Sequence, residues 1–164
     1  LLRLVSGVIT EVFGIQTSAG AGNAGDIVAL DDSGRIDVTM MPVGIGADTG
    51  VVMTSEALAA GDYVNIWSDS GVFKVRKADA NVAGKEAHGF VLAAFGSGVN
   101  ATVYFEGTNT QVTGQTPGNV FLQTTAGAGG STVPSASGNV VQQIGVAISA
   151  TSVNFERGVS VTLV

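Results

Sequence analysis

The sequence has 164 residues, of which 45% are hydrophobic and only 12% are charged. This length suits one domain or two small ones, and low charge with many β-branched residues indicates a folded β-rich protein, not a disordered one. The net charge of −6, with only seven basic residues, argues against a nucleic-acid partner. The lack of cysteine excludes disulfides and thiolate zinc sites, and no apolar run is long enough to span a membrane.

The first part of the chain contains a glycine-rich segment, residues 17–25. Within it, residues 20–25 (GAGNAG) match the spacing of a dinucleotide-binding loop. That motif needs a strand before it and a helix after it, whereas residues 27–30 (IVAL) have a strand pattern. We therefore expect a glycine loop at this position.

Two further features follow in the N-terminal segment. Residues 31–34 (DDSG), with Asp37 nearby, resemble part of a calcium loop, but the other acidic ligands are missing. A β-turn is the simpler interpretation. Residues 40–46 (MMPVGIG) are apolar and small, and two interpretations stay open for them. They form either an arm that lies on a neighbouring subunit or a strand in the core of their own unit.

The middle of the chain has the pattern of a β-hairpin. Residues 63–67 (YVNIW) and 72–76 (VFKVR) alternate between apolar and polar, and Ser70-Gly71 between them predicts the turn. In the second strand, the alternation places Phe73 and Val75 on one face and Lys74 and Arg76 on the other.

Residues 54–60 (TSEALAA) form either one or two helical turns capped by Ser55 or an extended loop. Further alternating runs predict strands at 102–106, 153–156 and 159–163. Half-buried strands with short turns are typical of antiparallel sheets. The fold class is therefore all-β, an antiparallel β-sandwich or barrel that is either jelly-roll-like or built from two related β units, with an extended N-terminal arm.

Short repeats support the idea of related units. Residues 24–30 (AGDIVAL), 60–66 (AGDYVNI) and 117–122 (PGNVFL) each read as a tight turn that starts a strand. A second element, residues 89–94 (GFVLAA), matches residues 145–150 (GVAISA). The two glycines of a unit are 28 residues apart in one case (61 to 89) and 27 in the other (118 to 145).

These repeats divide the chain into three parts. Residues 1–50 form the N-terminal arm with a partial β unit, residues 51–112 the first β unit and residues 113–164 the second. The last two either fold separately or share one core, because units of this size are small for independent folding.

Candidate catalytic residues are few. His88 is the only histidine, and a catalytic base or metal site would need partners that the sequence does not offer. Glu106 and Glu156 hold equivalent places in the two units, which suggests repeated surface positions instead of a glycosidase carboxylate pair. We expect no enzyme activity and no cofactor.

Two clusters invite a binding interpretation. Four basic residues fall within a short stretch, namely Lys74, Arg76, Lys77 and Lys85. They form either a docking patch or an ordinary solvated strand face. The second cluster consists of three aromatic residues, Tyr63, Trp67 and Tyr104. Their rings either are exposed and bind a partner or stack on a sugar, or they are part of the core.

Two stretches resemble a known family. Residues 118–122 (GNVFL), then a Gly/Thr loop and residues 134–149 (PSASGNVVQQIGVAIS), are similar to the C-terminal region of small β proteins that decorate or cement the capsids of tailed bacteriophages. Residues 24–37 (AGDIVALDDSGRID), ending near Met41-Pro42, are similar to a segment frequent in such phage proteins. Related modules occur in tail fibres.

The resemblance implies a non-enzymatic virion protein on the capsid exterior, assembled in the host bacterial cytoplasm. Its partners would be the major capsid protein and copies of itself, with a trimer suiting local three-fold positions, and neither nucleic acid nor membrane. We expect contacts at Met40, Met41, Val43 and Ile45 of the arm and at Lys74, Arg76 and Lys77. The alternative is a tail-fibre or baseplate module that binds a host surface glycan through Trp67 or Tyr104.

Overall fold

The computed structural model of this protein describes residues 2–5, 7–11, 13–41 and 46–164. Regular structure in these residues is almost entirely β, and the helical elements among them are two short 3₁₀ helices, which confirms the all-β prediction. The chain divides into two compact units, Leu1–Gly46 and Ala47–Val164. Among the described residues, no helix combines the length and the apolar character that a membrane crossing requires.

The N-terminal unit consists of short paired elements. Strands β1 (Leu2–Val5) and β2 (Val8–Glu11) form an antiparallel hairpin, and β3 (Gly14–Ile15) pairs in parallel with β4 (Ile27–Val28). One 3₁₀ helix covers Gly20–Asn23. The glycine motif is thus a single short 3₁₀ turn that is followed by strand β4 and not by the helix that a dinucleotide-binding loop needs, in agreement with the glycine-loop interpretation.

The DDSG segment is a turn held by its first residue. The Asp31 carboxylate accepts hydrogen bonds from the N–H groups of Ser33 (2.8 Å) and Arg35 (2.9 Å), and Gly34 N–H donates to the Asp31 carbonyl (2.9 Å). Asp favours turns through this local bonding, so the β-turn interpretation is confirmed. In the part of the chain that is described, no three His, Cys, Asp or Glu side chains come together as a metal-binding group.

The C-terminal unit contains a closed barrel. Its strands are β5 (Thr49–Thr54), β6 (Tyr63–Asp69), β7 (Val72–Lys77), β8 (Gly89–Phe90) and β9 (Asn100–Tyr104), in the spatial order β5-β7-β6-β8-β9. Neighbouring strands are antiparallel except β5 and β7. The interior is filled by small and medium apolar side chains: Leu58, Val64, Val75, Val91, Ala101 and Val103.

The β6–β7 hairpin has the predicted turn. Ser70 and Gly71 both have positive φ (54° and 88°), which matches the twist of a two-residue hairpin loop. Val75 is buried in the barrel, but Phe73, which the alternation places on the same face, is 77% exposed. Pairing of β7 with β5 begins only at Lys74, so the tip of the hairpin lies beyond the closed part of the barrel.

Residues 54–60 form an extended loop, which confirms that alternative over the helix. Ser55 Oγ donates to the Val75 carbonyl (3.2 Å), and a Glu56 carboxylate oxygen accepts from Lys77 N–H (2.7 Å). Leu58 exchanges two backbone hydrogen bonds of 2.9 Å with Phe95. These tertiary bonds outweigh the modest helix propensity of the segment.

The remaining strands form a six-stranded sheet. They are β10 (Gly107–Asn109), β11 (Gly118–Leu122), β12 (Gly129–Gly130), β13 (Val140–Ser149), β14 (Ser152–Phe155) and β15 (Ser160–Thr162). The spatial order is β10-β14-β13-β11-β12, and β15 pairs with the start of β13. A barrel with an antiparallel sheet fits the predicted fold class.

A second core lies between the barrel and the sheet. The barrel side contributes Tyr63, Ala78, Ala80, Ala87 and Phe90, and the sheet side contributes Val120, Leu122, Ile144, Ala147, Val153 and Phe155. Strand β6 supplies both cores, because successive side chains of a strand point to opposite faces. Residues 51–112 and 113–164 therefore pack around a common core.

The sequence repeats have structural counterparts. The glycine at the second position of each repeat has positive φ, namely 89° at Gly25, 89° at Gly61 and 117° at Gly118. Residues with a side chain rarely adopt this conformation. The second-element glycines also match. A Cβ on Gly89 would overlap the carbonyl oxygen of Tyr104, and one on Gly145 would overlap that of Asn154.

Candidate functional site

Arg76, predicted as a contact residue, is held on the surface of the β6–β7 hairpin. Its guanidinium lies 4.5 Å from the centre of the Trp67 ring, and its Nε donates to Asn65 Oδ1 (3.0 Å). Its Nη2 also donates to the Gly84 carbonyl (3.0 Å). Trp67 Nε1 in turn donates to Ser55 Oγ (3.1 Å). This stacked and bonded arrangement fixes the local structure and covers one face of the indole.

The two lysines beside it are also paired. Lys74 Nζ lies 2.6 Å from Asp69 Oδ2, and Lys77 Nζ lies 3.5 Å from Asp62 Oδ2. Both pairs are partly exposed, so each contributes little to stability. The two lysines are therefore partly neutralised by carboxylates of their own unit, which reduces their attraction for an acidic partner, whereas Arg76 is held by neutral groups.

The predicted arm residues are only partly described. Met40 ends the 3₁₀ helix Val38–Met40, and Met41 after it is 40% exposed. Val43 and Ile45 lie outside the described residues. Asp37 caps the helix, and the hydrogen bonds that it accepts from the Thr39 side chain and backbone lower its pKa. The contact role of all these residues stays a prediction.

The aromatic residues mostly serve the core. Tyr63 is fully buried and stacks on Phe155, with ring centroids 5.9 Å apart, and Tyr104 stacks on Phe90 at 5.4 Å. Burial raises the pKa of the Tyr63 hydroxyl above its usual range. The core interpretation is therefore confirmed for Tyr63.

The two repeat-related glutamates lie at one end of a strand pair. Glu106 directly precedes Gly107 of β10, and Glu156 directly follows Phe155 of β14, and these two strand residues are paired with each other. Both glutamates are exposed. They flank the same end of two adjoining strands, whereas a glycosidase pair lies on either side of the scissile bond of its substrate.

His88 has a structural position at the edge of the barrel. The backbone N–H of His88 donates to the Val64 carbonyl (2.7 Å), and the ring Nδ1 accepts a hydrogen bond from the backbone N–H of Ile66 (3.0 Å). The ring thus continues the pairing of β6 beyond β8. Burial lowers the pKa of His88, and the charge of Arg157 lowers it further, whereas Glu86 acts in the opposite direction.

We expect acid to weaken the fold through His88. Because its pKa is lower in the folded than in the unfolded state, the unfolded chain takes up the proton first. This stabilising contribution is complete above about pH 6.5 and is lost as the pH falls below it. Protonation of Nδ1 also removes the bond from Ile66.

The matched variant is His88→Asn, which offers an acceptor near the Nδ1 position but does not titrate. Urea unfolding at about pH 7.5 and about pH 5.5 should show a larger loss of unfolding free energy for the natural protein than for this variant. Equal losses in both proteins would rule out His88 as the source.

The surface that sequence reasoning missed is the outer face of the six-stranded sheet. None of its described strands contains a charged residue, although about a quarter of residues are charged in an average protein. Thr108, Asn154, Val146 and Asn119 are direct cross-strand neighbours on β10, β14, β13 and β11. All four are exposed, so they form one row across the sheet.

We call this surface the neutral outer face and define it by its central row of Thr108, Asn154, Val146 and Asn119. Further exposed side chains extend it. Gln143 is exposed and pairs with the half-buried Phe121, and Ile148 on β13 is 63% exposed. The sequence contains one signal for this surface, because residues 116–149 include no charged side chain. The row itself depends on strand order and register, which the sequence does not contain.

Comparisons of this chain with protein-family models, with curated proteins and with solved structures found no match.

Proposed function

We propose that this chain is a non-enzymatic structural protein of a tailed-bacteriophage virion. In this role it binds the outside of the capsid as a homo-oligomer, with a trimer suiting local three-fold positions, and stabilises contacts between major capsid protein subunits. The observation that carries the proposal is the neutral outer face on the six-stranded sheet. It supports attachment to a large protein surface.

The physical argument concerns the cost of removing water. Burying a charged side chain in an interface carries a large desolvation cost. Val carries no such cost, and Thr and Asn can offset a smaller one by forming hydrogen bonds with the partner. A face without charges can therefore bury against a shell with a small desolvation penalty. Many copies on one particle would multiply weak contacts through avidity.

The central test is a charge placed in the middle of the row. Val146→Lys, at a position that is 39% exposed, should weaken binding to purified capsids by at least about 100-fold, because an unpaired buried charge costs several kcal/mol in an interface. Binding can be measured by co-sedimentation with capsids that lack this protein.

The matched control is Val82→Lys, which adds the same charge at a position of similar exposure (43%) in the loop before β8. This variant should bind like the natural protein, and both variants should unfold at similar urea concentrations. Unchanged binding by Val146→Lys would refute the neutral outer face as the capsid contact.

Copy number per virion distinguishes the main alternative. A tail-fibre or baseplate module that binds a host glycan would be present in a few to a few dozen copies, whereas a decoration protein would approach the number of major capsid subunits. Quantitative mass spectrometry of purified particles separates these outcomes. The low count would overturn the decoration role.

A further inference from the structure

The N-terminal unit, Leu1–Gly46, has exposed apolar side chains and no core among the residues whose exposure is described. Of residues 7–9, 11, 13–41 and 46, none is buried. Eight large apolar side chains in this set are 40–74% exposed: Val8, Ile9, Phe13, Val28, Leu30, Ile36, Val38 and Met41. The described residues of this unit therefore leave most of their apolar surface in water.

Such a unit is not expected to be stable alone. Its described strands form only two-stranded pairs, and isolated pairs of this size are marginal in water. Parallel pairs such as β3–β4 normally occur buried on both faces. Small units gain stability from disulfides, metals or oligomerisation, and this sequence has no cysteine.

The exposed apolar area is of the size that a protein interface needs. With roughly 100 Å² for each large apolar side chain, the exposed fractions correspond to roughly 500 Å² on this unit. One partner in a standard interface buries about 800 Å², of which about 65% is apolar in homodimers, which is also roughly 500 Å².

We propose that a second copy of this chain covers the N-terminal unit, and that the unit is the element through which copies associate. Val8 and Ile9 are consecutive in β2, so their side chains point to opposite faces, and both are more than 60% exposed. A flat surface such as a shell covers only one of these faces. N-terminal units that wrap around one another cover both.

This inference deepens the homo-oligomer part of the proposed function by naming its surface. It is tested on the free protein, without capsids. Loss of association and loss of capsid binding are therefore separate results, and Val146→Lys should associate like the natural protein.

The experiment measures the mass of the full chain by light scattering after size-exclusion chromatography, from about 1 to about 100 μM. Phe13→Asp, at a position that is 74% exposed, should raise the dissociation constant by more than about 100-fold and yield monomers. The matched control is Phe73→Asp, a 77% exposed phenylalanine at the tip of the β6–β7 hairpin, which should keep the natural mass.

A second variant, Ile9→Asp, should dissociate the oligomer as well, and urea unfolding of the C-terminal unit should show that it stays folded in both variants. A natural chain that is monomeric throughout this concentration range would overturn the proposal. So would an unchanged mass of both Phe13→Asp and Ile9→Asp, or dissociation caused by Phe73→Asp alone.

Discussion

Replacing Gly145 with alanine should lower the free energy of unfolding by at least about 3 kcal/mol. The new Cβ would overlap the carbonyl oxygen of Asn154 and lie 3.1 Å from the Cα of Phe155, both on the neighbouring strand β14. These are backbone atoms in a paired strand, so the neighbour cannot rotate away. Gly145 also has a φ of 146°, which strains any residue with a side chain. Urea denaturation followed by circular dichroism measures the loss.

Alanine substitutions at two other glycines provide comparisons for this stability loss. Gly89→Ala should be similarly damaging, because its Cβ would overlap the Tyr104 carbonyl and lie 2.8 Å from Val103 Cγ1. Gly96→Ala should change stability by less than about 0.5 kcal/mol, since no atom lies within 4 Å of its Cβ position. If Gly145→Ala were as stable as Gly96→Ala, the close approach of β13 and β14 would be wrong.

Replacing Gln142 with leucine should lower the free energy of unfolding by about 2–4 kcal/mol. The side chain is 1% exposed, and its Oε1 accepts from Ala87 N–H (2.8 Å) while its Nε2 donates to the Ala87 carbonyl (3.0 Å). Nε2 also lies 3.3 Å from the Gly158 carbonyl. The amide thus imitates a strand partner and joins β13 to the segment before β8. Leucine fills the same volume but leaves these buried backbone groups without partners.

The neighbouring residue provides the control. Gln143 is exposed on the same strand, so Gln143→Leu should change the unfolding free energy by less than about 0.5 kcal/mol. Hydrogen exchange adds a local readout, because the Ala87 amide should lose protection only in Gln142→Leu. Similar stabilities of the two variants would show that the hydrogen bonds between Gln142 and Ala87 contribute nothing to the free energy of unfolding.

Local features could be predicted because they depend on neighbours in sequence. Alternation placed Val75 and Arg76 on opposite faces of their strand, and Ser70-Gly71 identified the hairpin turn. Repeated turn glycines at 61 and 118 also match their positive φ values. In each case, the physical cause acts within a few residues, either as side-chain period or as backbone sterics.

Other features depend on residues that are distant in sequence. Alternation alone did not show that both faces of β6 are buried. One face packs inside the barrel and the other packs against the sheet of residues 107–162, which is distant in sequence. The basic cluster on β7 likewise reads as a free patch until Asp69, Asp62 and Asn65 are seen beside it.

The sequence by itself determined the all-β class, the hairpin, the turns and the uncharged character of residues 116–149, because composition and short-range pattern decide these properties. Only the tertiary structure decided that Asn119, Val146, Asn154 and Thr108 form one exposed row, and that Gln142 meets Ala87. Strand order and register bring such residues together across long stretches of chain. Strand order and register are determined by the burial of whole sheet faces against each other, and a local sequence pattern does not contain this information.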